Sequence, residues 1–265
     1  MARKPKLIVS GVNGTMLVNG AQRIQSSVGT LIYRLKENGI LYVPSSGRQY
    51  GNMQRIFSPV KKEIAYIAER GGLCRYKGVT ISQTVMPYKL GMEIINEINQ
   101  HKECTGILTD CDTCYVKSDN MEFFYYMRDI MGYDVEVVPE LEIAGMDCLK
   151  ISLHQEEGEL DVDFWREKFG DRCRIVDPGD GFLDFIPLGV GKTPALKELL
   201  SYLEIDPEDC IAIGSRDPDA NMMDFVGCPI ALKGSSDMLL QHAKYTADSV
   251  VEVLERILDR EGYDW

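Results

Sequence analysis

Apolar positions along this chain follow two alternating periods. Residues 6–10 hold the short run Leu7-Ile-Val9, which ends beside Gly11 and reads as a strand buried on both faces of a parallel sheet. From Ile24 onward, Val28, Leu31, Ile32 and Leu35 recur at helical spacing, and Gly39 stands where a glycine closes a helix. Residues 40–44 and 63–68 repeat the strand pattern, with a short helix expected over 53–57. The C-terminal part resumes the rhythm: helix 193–203, strand 210–214, helix 221–226, strand 228–232, helix 249–258. Such alternation predicts an α/β fold with a doubly wound, mostly parallel, Rossmann-like sheet.

The middle of the chain breaks that rhythm. Helical spacing over 89–100, 121–131 and 160–169 is interspersed with strands at 105–109, 115–117 and 150–154. A closing pair at 174–176 and 182–186 flanks the turn Asp177-Pro-Gly-Asp180. This pattern predicts an α+β unit over 86–187, inserted into an α/β core of 1–85 plus 188–265.

Charge reinforces the division. Residues 84–187 carry 23 acidic and 9 basic side chains, a net of −14, whereas the remainder carries +2. The overall charge of −12 argues against nucleic acid or an anionic membrane as a partner. No apolar run approaches the roughly 20 residues that span a bilayer, and no signal-peptide core follows the basic start, so a cytoplasmic protein is expected. Eight cysteines in a cytosolic chain of 265 residues read as reduced thiols. Cys111 and Cys114 form a C-x-x-C pair in an expected hairpin turn. Zinc would need further ligands, and Cys104 lies a strand's length away from Cys111, roughly 23 Å, so the pair reads as incidental. His154 and His242 are single histidines with no partner visible in the sequence, and the acidic runs at 156–159 and 161–163 read as a solvated loop and a helix start.

Four short motifs punctuate the expected core. Ser10-Gly-Val-Asn-Gly-Thr15 follows the first strand, and Pro44-Ser-Ser-Gly-Arg48 the second. Pro187-Leu-Gly-Val-Gly-Lys-Thr-Pro194 follows the insertion, and Ile213-Gly-Ser-Arg-Asp-Pro-Asp219 the next strand. In this order, with a large insertion between the second and third, they resemble the motifs of Cof-type phosphatases of the haloacid dehalogenase (HAD) superfamily. The resemblance implies a HAD core with a cap domain. In that family the first motif reads DxDGT: its first aspartate attacks phosphorus, its second is the general acid/base, and the fourth motif, GDxxND, helps hold Mg²⁺.

Here the corresponding positions are Gly11, Asn13 and Ser215. Glycine has no nucleophile, the asparagine amide does not exchange protons near neutral pH, and serine is a poor Mg²⁺ ligand beside a carboxylate. No catalytic residue of the family's route is intact. The phosphate-holding positions match better: Gly14 and Thr15 of the first motif, Ser46, Gly47 and Arg48 of the second, Lys192 at a helix start in the third. Asp219 matches a metal-binding aspartate, although Pro218 replaces the preceding asparagine. Loss of three carboxyl groups around Lys192 should leave a more positive pocket. The expectation is therefore a pseudo-phosphatase binding inorganic phosphate or a phosphorylated small molecule, with no cofactor required. One alternative is an active hydrolase with an unusual site, for which Mg²⁺ would be the cofactor. The other is a protein-binding module using the acidic cap.

Overall fold

The computed structural model describes residues 4–17, 21–142 and 147–259. Met1 and Trp265, the outer limits of the expected core, lie outside them. The first half runs β1 (Leu7–Gly11), α1 (Ser26–Glu37), β2 (Leu41–Ser45), α2 (Tyr50–Ile56), β3 (Ala65–Ala68), β4 (Leu73–Tyr76), β5 (Val79–Gln83), α3 (Tyr88–Ile98), β6 (Cys104–Thr109), β7 (Cys114–Lys117) and α4 (Met121–Tyr125). It continues with β8 (Val135–Val138), β9 (Lys150–Gln155), α5 (Val162–Phe169), β10 (Cys173–Gly179), β11 (Phe182–Pro187), α6 (Lys192–Leu203), β12 (Cys210–Gly214), α7 (Ala220–Met223), β13 (Cys228–Leu232), α8 (Asp237–Gln241), β14 (Tyr245–Ala247) and α9 (Val250–Leu258). The chain separates into two compact units: Met1–Gly47, Met53–Ser82 and Gly191–Trp265 form one, and Arg48–Asn52 with Gln83–Val190 form the other.

The first unit is an α/β layer around an eight-stranded sheet of order β14-β13-β12-β1-β2-β3-β4-β5. From β14 to β3 the strands run parallel, with β1 between β12 and β2. All five residues of β1 are buried, as expected for a central parallel strand. Leu7, Val9, Val43 and Ile67 pack with Ala195, Leu196 and Leu199 of α6 and Met222 and Met223 of α7. Side chains alternate across a strand, so Gly11 and Ser45, two residues beyond Val9 and Val43, belong to the same sheet face. Gly39, at φ +73°, closes α1 by donating its N–H to the Lys36 carbonyl at 2.9 Å.

The second unit is α+β, with a six-stranded sheet of order β10-β11-β9-β6-β7-β8. Its pairs are antiparallel except β7 with β8. Leu108, Ile151, Leu153 and Phe185 pack with Ile94 and Ile98 of α3 and Trp165 and Phe169 of α5. Ile107 and Val116 pack with Phe123 and Met127 in a smaller cluster. Asp161 caps α5 by accepting the Phe164 N–H at 3.0 Å, which accounts for part of the acidic run. The helix expected over 121–131 is α4 continued by a wider π turn over Tyr126–Ile130, closed by Met131 N–H donating to the Tyr126 carbonyl at 3.0 Å. Among the described residues, no helix is long and apolar enough to cross a membrane.

Candidate active site

The motif loops of the first unit meet at the C-terminal ends of adjacent parallel strands, where open α/β sheets place ligands. β1 ends at Gly11, which is in register with Ser45 at the end of β2, and Ser45 is in register with Ile67 of β3. Ser10, on the opposite sheet face, donates to the Gly11 carbonyl at 3.0 Å and is hydrogen-bonded to Tyr42. Burial pushes the Tyr42 hydroxyl pKa up, so this pair stays neutral and structural.

Asp219 is the centre of the site. It is 2% exposed, at the end of a short 3₁₀ turn, Asp217–Asp219, which leads into α7. Its Oδ1 accepts from Lys192 Nζ at 2.6 Å, and its Oδ2 accepts the Ser215 and Arg216 N–H groups at 3.2 and 3.4 Å. A Cβ placed on Gly11 would stand 2.8 Å from Asp219 Oδ2, 3.2 Å from Asp219 Oδ1 and 2.8 Å from Thr15 Oγ1. The Asp219 carboxylate therefore fills the space into which a side chain at position 11 would project. Glycine is required there by this packing, not by backbone conformation.

This arrangement corrects two expectations. Lys192 is neutralised by Asp219, so loss of the other carboxyl groups does not leave it as an uncompensated cation. The first-motif turn also bonds to itself: Gly14 N–H donates to the Leu17 carbonyl at 2.8 Å and Thr15 N–H to the Val12 carbonyl at 3.3 Å. Ser46 N–H is likewise engaged, with the Ile67 carbonyl at 2.9 Å. These amides would have to leave those partners, or share them, to hold an anion.

Thr15 and Ser215 come together, with hydroxyl oxygens 2.6 Å apart. Gly14, at φ +75°, sits 3.2 Å from Ser215 Oγ by its would-be Cβ, with the Arg216 methylenes alongside. Asn13 is exposed on the same turn. Gly11, Asn13, Gly14, Thr15, Ser46, Gly47, Lys192, Ser215 and Asp219 thus all belong to the first unit. Arg48 does not: it groups with the second unit, where its Nη1 donates to Asn52 Oδ1 at 3.0 Å.

Sequence reasoning missed the loop after β3. Glu69, Arg70 and Gly71 all have positive φ, +48°, +58° and +98°. Two consecutive non-glycine residues in that region cost on the order of 1 kcal/mol each or more. Arg70 N–H donates to the Ser46 carbonyl at 2.9 Å. The Arg70 side chain lies over Gly47, with Cζ 3.2 Å and Nε 3.3 Å from the position a Cβ there would take. A Cβ on Gly71 would collide with the Gly191 carbonyl at the start of α6. The sequence signal was Glu-Arg-Gly-Gly after a buried strand, a chain reversal with a glycine in it.

The family's Mg²⁺ site does not fit these residues. Position 11 offers no carboxylate and position 215 a hydroxyl. Of the family's metal-binding carboxylate positions, only 219 keeps a carboxylate, and it is held by Lys192 and two amides. Among the described residues, no group of three or more His, Cys, Asp or Glu side chains could hold a metal. The Cys111 and Cys114 pair is part of no such group. Neither residue is in a disulfide, and Cys114 Sγ lies 3.4 Å from Thr109 Oγ1. His242, expected to lack a partner, is 2.7 Å from Asp224 Oδ1.

A parallel sheet with ligand loops at its strand ends, an inserted α+β unit and this order of motifs define a HAD-type fold. The model of the haloacid dehalogenase-like hydrolase family matches residues 8–253, and the chain belongs to that family. It is 23% identical to the 5-amino-6-(5-phospho-D-ribitylamino)uracil phosphatase of Escherichia coli (strain K12), over 97% of each chain. It is 22% identical to the HMP-PP phosphatase of Yersinia enterocolitica, over 89% of this chain and 86% of that one. A haloacid dehalogenase-like hydrolase from Bacteroides thetaiotaomicron has the same fold, with a TM-score of 0.85 at 20% identity, covering 96% of this chain and all (100%) of that one. So does a subclass IIB sugar phosphatase of the superfamily, with a TM-score of 0.76 at 16% identity over 95% and 98% of the two chains.

Proposed function

We propose that this chain handles phosphorylated small molecules at the strand ends of its core unit, and that any hydrolysis there is carried by Asp219 and not by residue 11. The observation behind this reading is the Asp219 carboxylate, ion-paired to Lys192 in the space in front of Gly11. The names of the relatives favour hydrolysis over the binding-only role expected from the motif losses. Gly11 and Asn13 nevertheless supply neither a nucleophile nor an acid/base.

Asp219 Oδ2 already accepts two N–H groups, but Oδ1 keeps a lone pair beyond its Lys192 contact and can accept a proton from a water molecule. In this reading that water attacks phosphorus, its proton passes to Asp219, and the alcohol leaves with a proton taken from solvent. Lys192 donates to Asp219, and its ammonium has further N–H groups to offer a phosphoryl oxygen. The test is phosphate release from a panel of phosphate monoesters by the native chain and by Asp219→Asn. Turnover lost in the variant supports the reading, whereas turnover that survives refutes it.

Binding without turnover is the second reading. It is favoured by the same carboxylate's existing contacts with Lys192, Ser215 N–H and Arg216 N–H. A native protein that binds inorganic phosphate but releases none from the panel would establish it.

A further inference from the structure

We infer that Ser45 is a positioning residue which, together with Asp219, holds the water molecule that attacks phosphorus. The inference deepens the hydrolytic reading above and rests on it. The strands β12, β1 and β2 end side by side in the row Gly214, Gly11 and Ser45: Gly11 is in register with Ser45, and Gly214 and Gly11 each follow the paired residues Ile213 and Ser10. Ala212, Val9 and Val43, two residues before each, pack on the face that carries α6 and α7, so the row belongs to that face. The two glycines make room for Asp219. A Cβ on Gly214 would stand 2.9 Å from Asp219 Cβ, and one on Gly11 2.8 Å from Asp219 Oδ2. Ser45 is the one member of the row with a side chain, and that side chain shares the face with the Asp219 carboxylate.

Ser45 is fully buried, and its hydroxyl has no hydrogen-bond partner among the described residues. Buried hydroxyls are normally satisfied by protein or by ordered water. Neighbouring strands lie about 4.8 Å apart, so the hydroxyl faces the carboxylate across roughly one strand spacing. Two hydrogen bonds of about 2.8 Å that meet at a water span about 4.6 Å. The separation is too wide for a direct bond and suits one bridging water. That water donates one hydrogen to Asp219 Oδ1, beside the Lys192 contact, and the other to Ser45 Oγ, which leaves its lone pairs for phosphorus. On attack the water oxygen bonds to phosphorus and its proton moves to Oδ1. The ester P–O bond breaks, and the alcohol leaves with a proton from solvent. Ser45 forms no covalent bond and keeps its proton; it fixes the direction of attack. This role falls one residue before Ser46, the hydroxyl to which the motif resemblance pointed. Glu69, buried just beyond β3, is the competing carboxylate for such a water, because Ile67 of β3 is also in register with Ser45.

The experiment measures kcat and KM for phosphate-monoester hydrolysis by the native full chain and by Ser45→Ala, beside a crystal structure of the native chain that resolves ordered water. Alanine removes only a buried hydroxyl without a protein partner, so the variant should fold. The expected result is a kcat lower by roughly ten- to hundred-fold with KM within about two-fold of native, and a water within about 3.2 Å of both Ser45 Oγ and Asp219 Oδ1. A native-like kcat in Ser45→Ala, a raised KM at unchanged kcat, or a water that joins Ser45 to Glu69 instead overturns the role of Ser45 and leaves the Asp219 reading standing. A native chain that releases no phosphate overturns the hydrolytic reading, and this role with it.

Discussion

Replacing Asp219 by asparagine separates three roles that the structure gives to one carboxylate. The Asp219 side chain is 3% exposed and its Lys192 partner 16%, so this is a buried ion pair and not a surface one. Removing one member of such a pair costs about 3–5 kcal/mol, because the other charge is left buried. Lys192 keeps some contact with solvent, which places the cost near the lower limit, about 3 kcal/mol. For a chain of this size that corresponds to a fall in Tm of about 6–12 °C. The uncompensated ammonium is then available to an anion, and inorganic phosphate should bind about ten-fold more tightly. Phosphate at about 100 times its Kd should restore about 2.7 kcal/mol of stability. If Asp219 activates water, turnover should fall by about two to four orders of magnitude in the same variant. Differential scanning calorimetry with and without phosphate, beside a phosphate-release assay, reads all three. A variant that melts like the native chain, or binds phosphate less well, would falsify the central position given to the Lys192–Asp219 pair.

Three other outcomes follow from the same geometry. Gly11→Asp forces a side chain toward Asp219 Oδ2 and Thr15 Oγ1, each 2.8 Å from the new Cβ, and should cost roughly 1–3 kcal/mol in urea unfolding; with Asp219 in place it should not raise phosphate release, and a native-stable, more active variant would refute this. Gly71→Ala should lose roughly 1–3 kcal/mol from its φ of +98° alone, with the new Cβ also driven against the Gly191 carbonyl, so an unchanged urea midpoint would count against the close packing of this loop. His154 stacks on Phe123 with centroids 5.0 Å apart, and burial lowers its pKa below the ordinary 6.5. The unfolded chain therefore takes up that proton first, and stability should fall as pH drops below about 6.5. His154→Phe should remove that part of the pH dependence in thermal melts, and an unchanged profile would show that His154 is not its source.

Much of the core was legible because buried parallel strands and amphipathic helices leave unambiguous periods. Leu7–Gly11, Cys210–Gly214 and the helix over Lys192–Leu203 appear close to where the pattern placed them. The hairpin of β4 and β5 was not foreseen. Val79 and Thr80 are exposed, so no apolar face marks the second strand, and the turn uses Lys77-Gly78 at φ +50° and +79° without the usual Asn-Gly or Asp-Gly signature. β14 is three residues long and β8 is a partly exposed edge strand, both too short or too polar for a period to show. The motifs identified most of the site loops, because order along the chain survives substitution. What the sequence could not give was the destination of each charge. That Asp219 occupies the space before Gly11, that the first-motif amides bond within their own turn, and that Arg70 lies on Gly47 are facts of three-dimensional placement. Arg48, the last residue of the second motif, donates to Asn52 of the second unit.

The most direct test of the account is the affinity of the native chain for inorganic phosphate, measured by calorimetry in excess EDTA and again in excess Mg²⁺. A site whose positive charge comes from side chains should bind phosphate with the same affinity in both solutions. Binding that appears only with Mg²⁺, or fails in both, would contradict it.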